Sequence, residues 1–204
     1  MDRRGFFRQG LRKVGEATIQ EVQTYFERKI RWIRPPYALE ELEFLLTCTR
    51  CGDCISACPH HTIFPLPVSI GTQVANTPAL DLLNKACHLC PDWYCLKACQ
   101  PRALRLPQPI PNDSHSFEDT SKLIPIPLPR LALVQIDKER CLPYKGPECG
   151  ACKDSCPVEG ALTWRVHKPH IIKEICVGCA LCRVACIVEP KAITLSKFNA
   201  NAKI

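Results

Sequence analysis

The stretch Cys176-Val177-Gly178-Cys179-Ala180-Leu181-Cys182-Arg183-Val184-Ala185-Cys186 decides how this chain is read. It sets three cysteines at every third residue and adds a fourth after three more residues. The same C-x2-C-x2-C-x3-C spacing occurs at Cys48, Cys51, Cys54 and Cys58, followed by Pro59. Two looser versions complete the set. Cys87, Cys90, Cys95 and Cys99 stretch the middle gap to four residues. Cys141, Cys149, Cys152 and Cys156, followed by Pro157, stretch the first gap to seven. These four groups contain all sixteen cysteines of the 204-residue chain.

Three chemistries use cysteine in such numbers. Disulfide frameworks carry even counts in small oxidised domains, but three cysteines spaced three apart pair poorly with one another. Structural zinc sites join two C-x2-C knuckles from separate places, and have no use for a third cysteine in the same loop and a fourth one helical turn later. Iron–sulfur chemistry fits the spacing. A loop with a cysteine at every third residue wraps a cubane and reaches three of its corners, and in two-cluster ferredoxins the fourth cysteine of the run ligates the other cluster. That rule assigns Cys48, Cys51, Cys54 and Cys99 to cluster one, and Cys87, Cys90, Cys95 and Cys58 to cluster two. Cluster three takes Cys141, Cys149, Cys152 and Cys186; cluster four takes Cys176, Cys179, Cys182 and Cys156. Every cysteine is used once, so four [4Fe–4S] clusters are expected and no catalytic residue.

The flanks repeat with the runs. Ala103-Leu104-Arg105-Leu106, Ala161-Leu162-Thr163-Trp164 and Ala192-Ile193-Thr194-Leu195 each follow a fourth cysteine and alternate like short half-buried strands. Strands are also expected over 131–136 and at Ile171-Ile172. The third and fourth cysteines of each run are expected on a short helix. The fold class is then α+β: tandem ferredoxin-like (βαβ-type dicluster) modules with little regular secondary structure, preceded by an amphipathic helix. The expected units are a basic arm over 1–36, a first module over 37–106, a proline-rich linker over 107–130 and a second module over 131–204. Each module spans only about fifty residues between its outer cysteines, a size at which a chain commonly needs a metal staple. The insertion 59–86 reads as a surface loop, with a partner-docking face as the alternative. The run 124–129, Ile-Pro-Ile-Pro-Leu-Pro, reads as an extended strap.

The net charge of +7 is concentrated at one end. Residues 1–34 hold nine Lys/Arg against four Asp/Glu, net +5, which leaves +2 for the rest. Leu11, Val14, Thr18 by its methyl, Val22, Phe26, Ile30 and Ile33 give this arm one apolar stripe at helical spacing, and Pro35-Pro36 ends it. A basic amphipathic arm suits an anionic membrane surface or an acidic partner, and the plain alternative is a solvated helix face. Nothing in the body pairs basic patches with aromatics, so nucleic acid is not an expected partner. The longest uncharged stretch, 54–80, contains four prolines and is no bilayer helix.

The start, Asp2-Arg3-Arg4-Gly5-Phe6-Phe7-Arg8, is similar to a twin-arginine export motif. The apolar core of a signal does not follow, since Arg12, Lys13 and Glu16 interrupt it. A cytoplasmic, membrane-associated protein is therefore expected, with periplasmic export the alternative. Arg50, Asp53, His88, Asp92, Trp93, Lys97, Lys153, Asp154 and Arg183 lie beside the cysteines, where they would tune a cluster or serve as ordinary surface groups. His88 is the most tempting extra ligand, but a complete cysteine set leaves it no corner.

The four runs, with Asp137, Cys141-Leu142, Gly146, Cys149-Gly150-Ala151-Cys152, Cys156-Pro157 and Cys176-Val177-Gly178-Cys179 within 133–195, resemble the NapG/MauM ferredoxin-type proteins. The resemblance covers roughly 45–196. It implies four cubane clusters relaying electrons between a quinol-oxidising membrane partner and a terminal reductase or dehydrogenase. The rival functional reading is a cluster-bearing docking or maturation subunit. An enzyme in its own right is not expected, because the chain offers no glycine-rich phosphate loop or other site for an organic cofactor.

Overall fold

The computed structural model describes residues 32–107 and 127–197. The expected arm helix, the twin-arginine-like start and most of the proline-rich linker lie outside these residues. The described chain is a small mixture of short helices and two-stranded sheets.

The first half opens with the longest helix among the described residues, α1 (Glu41–Thr47). Glu41 and Glu43 sit in its first turn, where the helix dipole favours negative charge. Phe44 is fully buried on its inner face. One-turn helices α2 (Asp53–Ser56) and α3 (Tyr94–Lys97) follow the cysteine loops. Between them, β1 (Ile63–Pro65) pairs antiparallel with β2 (Pro78–Leu80), Ile63 opposite Leu80 and Pro65 opposite Pro78. In the second half, β3 (Ala132–Ile136) pairs antiparallel with β6 (Ile193–Lys197) over five residues. The hairpin β4 (Leu162–Arg165) and β5 (Lys168–Ile171) turns through Val166 and His167, both at positive φ, as a two-residue turn matching strand twist requires. Helix α4 (Leu142–Lys145) lies in the long gap of the third run, and α5 (Leu181–Ala185) carries Cys182.

The structure departs from expectation in three places. The insertion 59–86 is not a surface loop: it holds β1 and β2 and buries Leu66, Val74 and Ala79 against Trp32 and Leu45. Strands of three residues are too short to show a period, and their prolines read as turns. The strand expected after Cys99 is reduced to one bridge, Ala38 to Leu104. Its partner segment follows Pro35-Pro36, and proline has no N–H to extend a ladder. Helices α2, α3 and α5 carry the third cysteine of their runs, with the fourth lying beyond the helix end, and no helix carries Cys152. The remaining strand expectations match β3, β4, β5 and β6.

Buried side chains are mostly small, including Ala86, Ala103, Ala132, Ala161, Ala180 and Ala192. The two halves meet in one apolar cluster, with Ile63, Leu80, Leu82 and Ala86 from the first packed on Leu131, Ala132 and Ala180 from the second. Gly178 makes this contact close: a Cβ there would lie 2.1 Å from the Ala132 carbonyl oxygen. At the end of the proline-rich segment, the Tyr37 hydroxyl donates to the Pro127 carbonyl at 3.2 Å and Arg130 donates to the Glu174 carbonyl at 2.8 Å.

Candidate functional site

The cysteine loops share a backbone signature. The residue before the second cysteine is left-handed at Arg50 (φ 60), Leu89 (φ 50) and Gly178 (φ 77). The residue two before the third cysteine is left-handed at Gly52 (φ 84), Trp93 (φ 46) and Ala180 (φ 70). Alternating left- and right-handed residues turn successive N–H groups to one side, making the concave nest that receives anions and cluster sulfur. Four of these six residues are not glycine, so the loops hold strained conformations that only a surrounding constraint sustains. The run beginning at Cys141 builds its loop differently, with its one left-handed residue at Gly146 (φ 128).

The loops and the fourth cysteines converge on apolar cavities. One cavity is lined by Cys58, Cys87, Cys90 and Cys95, with His60, His88, Trp93 and Ile63. A second is lined by Cys48, Cys51, Cys54 and Cys99, with Phe44 and Leu104. A third is lined by Cys141, Cys149, Cys152 and Cys186, with Trp164, Ile136 and Ile193. The remaining cysteines form a fourth set. Burial raises the Cys176, Cys179 and Cys182 thiols, and nearby Cys156 raises all three further. In chain order of their loops, these are site one (Cys48, Cys51, Cys54, Cys99), site two (Cys87, Cys90, Cys95, Cys58), site three (Cys141, Cys149, Cys152, Cys186) and site four (Cys176, Cys179, Cys182, Cys156).

The donor set and its surroundings suit iron–sulfur cubanes. Each site offers four soft sulfur donors, and the cavities of sites one, two and three are lined by no carboxylate. Backbone N–H groups point at sulfur: Leu104 donates to Cys99 Sγ at 3.4 Å, and hydrogen bonds from the Leu89, Gly178 and Leu181 amides favour the thiolates of Cys87, Cys176 and Cys179. The Trp164 indole lines the site three cavity, and its buried Nε1–H has no partner among the described residues. Burial pushes the Cys54, Cys95 and Cys182 thiols up to about 12, with neighbouring cysteines adding to the rise. Four such thiols facing one space repel as thiolates unless a cationic centre lies between them. Among the described residues, no group of three or more His, Cys, Asp or Glu side chains closes to the distances of a single metal ion.

No family model matches the chain, and no solved structure matches it. Curated proteins do. The ferredoxin-type protein NapG of Escherichia coli (strain K12) is 30% identical over 197 residues, covering 90% of this chain and 78% of that protein. NapG of Haemophilus influenzae is 33% identical, over 80% of this chain and 58% of that protein. The methylamine utilization ferredoxin-type protein MauM of Methylorubrum extorquens is 30% identical, over 88% of this chain and 79% of that protein. The chain belongs to the NapG/MauM ferredoxin-type family. It is accordingly an iron–sulfur electron-transfer protein.

The NapG/MauM chain uses several of the residues beside its cysteines to hold its shape. Arg50 donates to the Ala75 and Gln73 carbonyls and clamps the first loop to the segment between β1 and β2. Arg183 donates to the carbonyls of Leu83 and Ile193. Asp92 pairs with Lys97 at 2.8 Å on the surface. Trp93 meets Tyr37 edge to face, ring centroids 4.8 Å apart. His88 stacks flat on His60, centroids 3.5 Å apart, beside site two. Burial first, and then the neighbouring His60, lower the His88 pKa and so favour the neutral ring. His60 escaped the sequence reading, although its place two residues after Cys58 was a usable signal. Trp164 and Arg34 escaped it too, since neither stands near a cysteine in sequence.

Proposed function

We propose that this protein is a relay carrying four [4Fe–4S] clusters, one at each site, built as two ferredoxin-like dicluster modules, and that it passes electrons between a quinol-linked membrane partner and a terminal oxidoreductase. One observation carries the reading: the fourth cysteine of each run keeps company with the first three of the other run in its half. Cys58 lines the cavity of Cys87, Cys90 and Cys95, and Cys99 that of Cys48, Cys51 and Cys54. Cys186 and Cys156 exchange in the same way. This arrangement supports the crossed ligation used by two-cluster ferredoxins.

A cubane at each site supplies a one-electron couple. The chain's own residues do the rest. The thiolates fix each centre, the nest amides stabilise negative charge on sulfur, and apolar walls such as Phe44 and Ile193 exclude water. Cys51 is exposed, so site one meets the surface. The names of the relatives attach NapG and MauM to ferredoxin-type roles, MauM in methylamine utilization, and a redox partner for this chain follows from that kinship.

The test is Cys58→Ser in anaerobically purified protein. Loss of the centre held by Cys87, Cys90 and Cys95, with the centre of Cys48, Cys51 and Cys54 intact by EPR, is expected. Loss of the latter centre instead overturns the crossed assignment. For the relay itself, the wild-type chromophore should bleach with quinol-reduced membranes and recover with a terminal acceptor. A chromophore that stays unchanged in that assay, while the protein still binds its partner, favours the docking or maturation role.

A further inference from the structure

We propose that the four sites stand in single file in the order one, two, four, three, and that the electron path crosses between the halves at Cys87 and Cys179. The proposal rests on the four-cluster reading above and adds an order that chain position does not give, because the run last in sequence lies inside and the third run lies at an end.

Three contacts set the order. At the seam, the Cys87 amide donates to the Cys179 carbonyl at 2.9 Å, so one backbone hydrogen bond joins a ligand of site two to a ligand of site four. The two loops are pressed together by Ala86 and Leu82 on one side and Ala132 and Ala180 on the other. Arg183, next to Cys182, donates across the same seam to the Leu83 carbonyl at 3.1 Å. Within the first half, Cys95 of site two packs with Ile55 and Cys54 of site one in a shared apolar cluster. Within the second, Cys182 of site four packs with Cys152 and Cys186 of site three. The outer sites are walled by their own halves: site one by residues from 44 to 104, site three by residues from 136 to 193.

Each hop along this file oxidises one centre by one electron and reduces its neighbour by one, with no bond made or broken. The source and sink are the redox partners of the proposed relay. The seam residues act by positioning: they hold sites two and four at hopping distance without touching either partner.

Spin coupling in the reduced full-length protein reads the order directly. Cys51→Ala with Cys149→Ala leaves sites two and four, and a split, spin-coupled EPR spectrum is expected. Cys90→Ala with Cys176→Ala leaves sites one and three, and two uncoupled signals are expected. An uncoupled inner pair or a coupled outer pair overturns the order. Should a double variant fail to hold about eight irons, two cubanes' worth, Ala86→Leu in the full ligand set decides instead. It widens the seam, and a weakened splitting with iron content intact is expected, whereas an unchanged spectrum overturns the proposal. A wild-type protein that lacks four clusters sinks the relay reading itself, and the order with it.

Discussion

Gly52 and Gly178 both hold left-handed backbones, but their surroundings differ. A Cβ on Gly52 meets nothing within 4 Å, while one on Gly178 would overlap the Ala132 backbone. Gly52→Ala should therefore cost only the backbone term, about 1 kcal/mol. Gly178→Ala should cost several times more and loosen the seam. Chemical denaturation of the iron-loaded proteins checks this, and equal costs would contradict it. The thiols make a second prediction at this scale. Cys54, Cys95 and Cys182, pushed up to about 12 mainly by burial, are protonated in the iron-free fold at neutral pH. Ligation needs thiolates, so cluster assembly releases protons and becomes more favourable as pH rises from 7 to 9. Without iron the sign reverses. The folded form holds these protons to higher pH than the unfolded chain, so the thiols' contribution works further against the iron-free fold as pH climbs from about 9 toward about 12. Iron uptake followed across pH, with proton release recorded, checks the first statement, and pH-independent uptake would contradict it.

Among the elements, the segment carrying β1 and β2 is fastened by a residue more than forty positions away in sequence. Arg34 looks from sequence like one more charge of a basic arm. In the fold it is a buried fastener, making a bidentate pair with Glu41 at 2.6 and 2.9 Å and donating to Thr77 Oγ1 and the Pro78 carbonyl at 2.8 Å. Its guanidinium also lies over the Phe44 ring, 4.6 Å from the centroid. Arg34→Ala strands Glu41, whose side chain is 12% exposed, and should cost about 3 kcal/mol. Thermal or denaturant unfolding checks this, and a change under about 0.5 kcal/mol, the scale of an ordinary surface substitution, would contradict it. Arg34 also marks where sequence reading stops. The alternation at 131–136, 161–164 and 192–195 is a local signal, and each stretch forms a strand. Arg34 and the buried hairpin depend on partners forty residues away, such as Thr77, and no local period announces them. The strand after Cys99 failed for the related reason that a strand needs a partner, and Pro35-Pro36 denies it one.

At the scale of the whole molecule, the described residues form no single large apolar interior. Its buried residues are largely alanines and short aliphatics arranged in small clusters, and those around the cysteines back onto the cavities the thiols line. No helix among the described residues is long and apolar enough to cross a membrane. Strained loops at Arg50, Leu89, Trp93 and Ala180 add to what must be offset. In the relay proposed above, cubanes would supply that interior and the conducting path together. Anaerobic iron and acid-labile sulfide analysis, with EPR after reduction, tests this most directly. The account predicts a brown protein with about sixteen irons and as much sulfide per chain, four per cubane, that unfolds as iron is removed. A colourless, stably folded protein carrying zinc and no sulfide would contradict it.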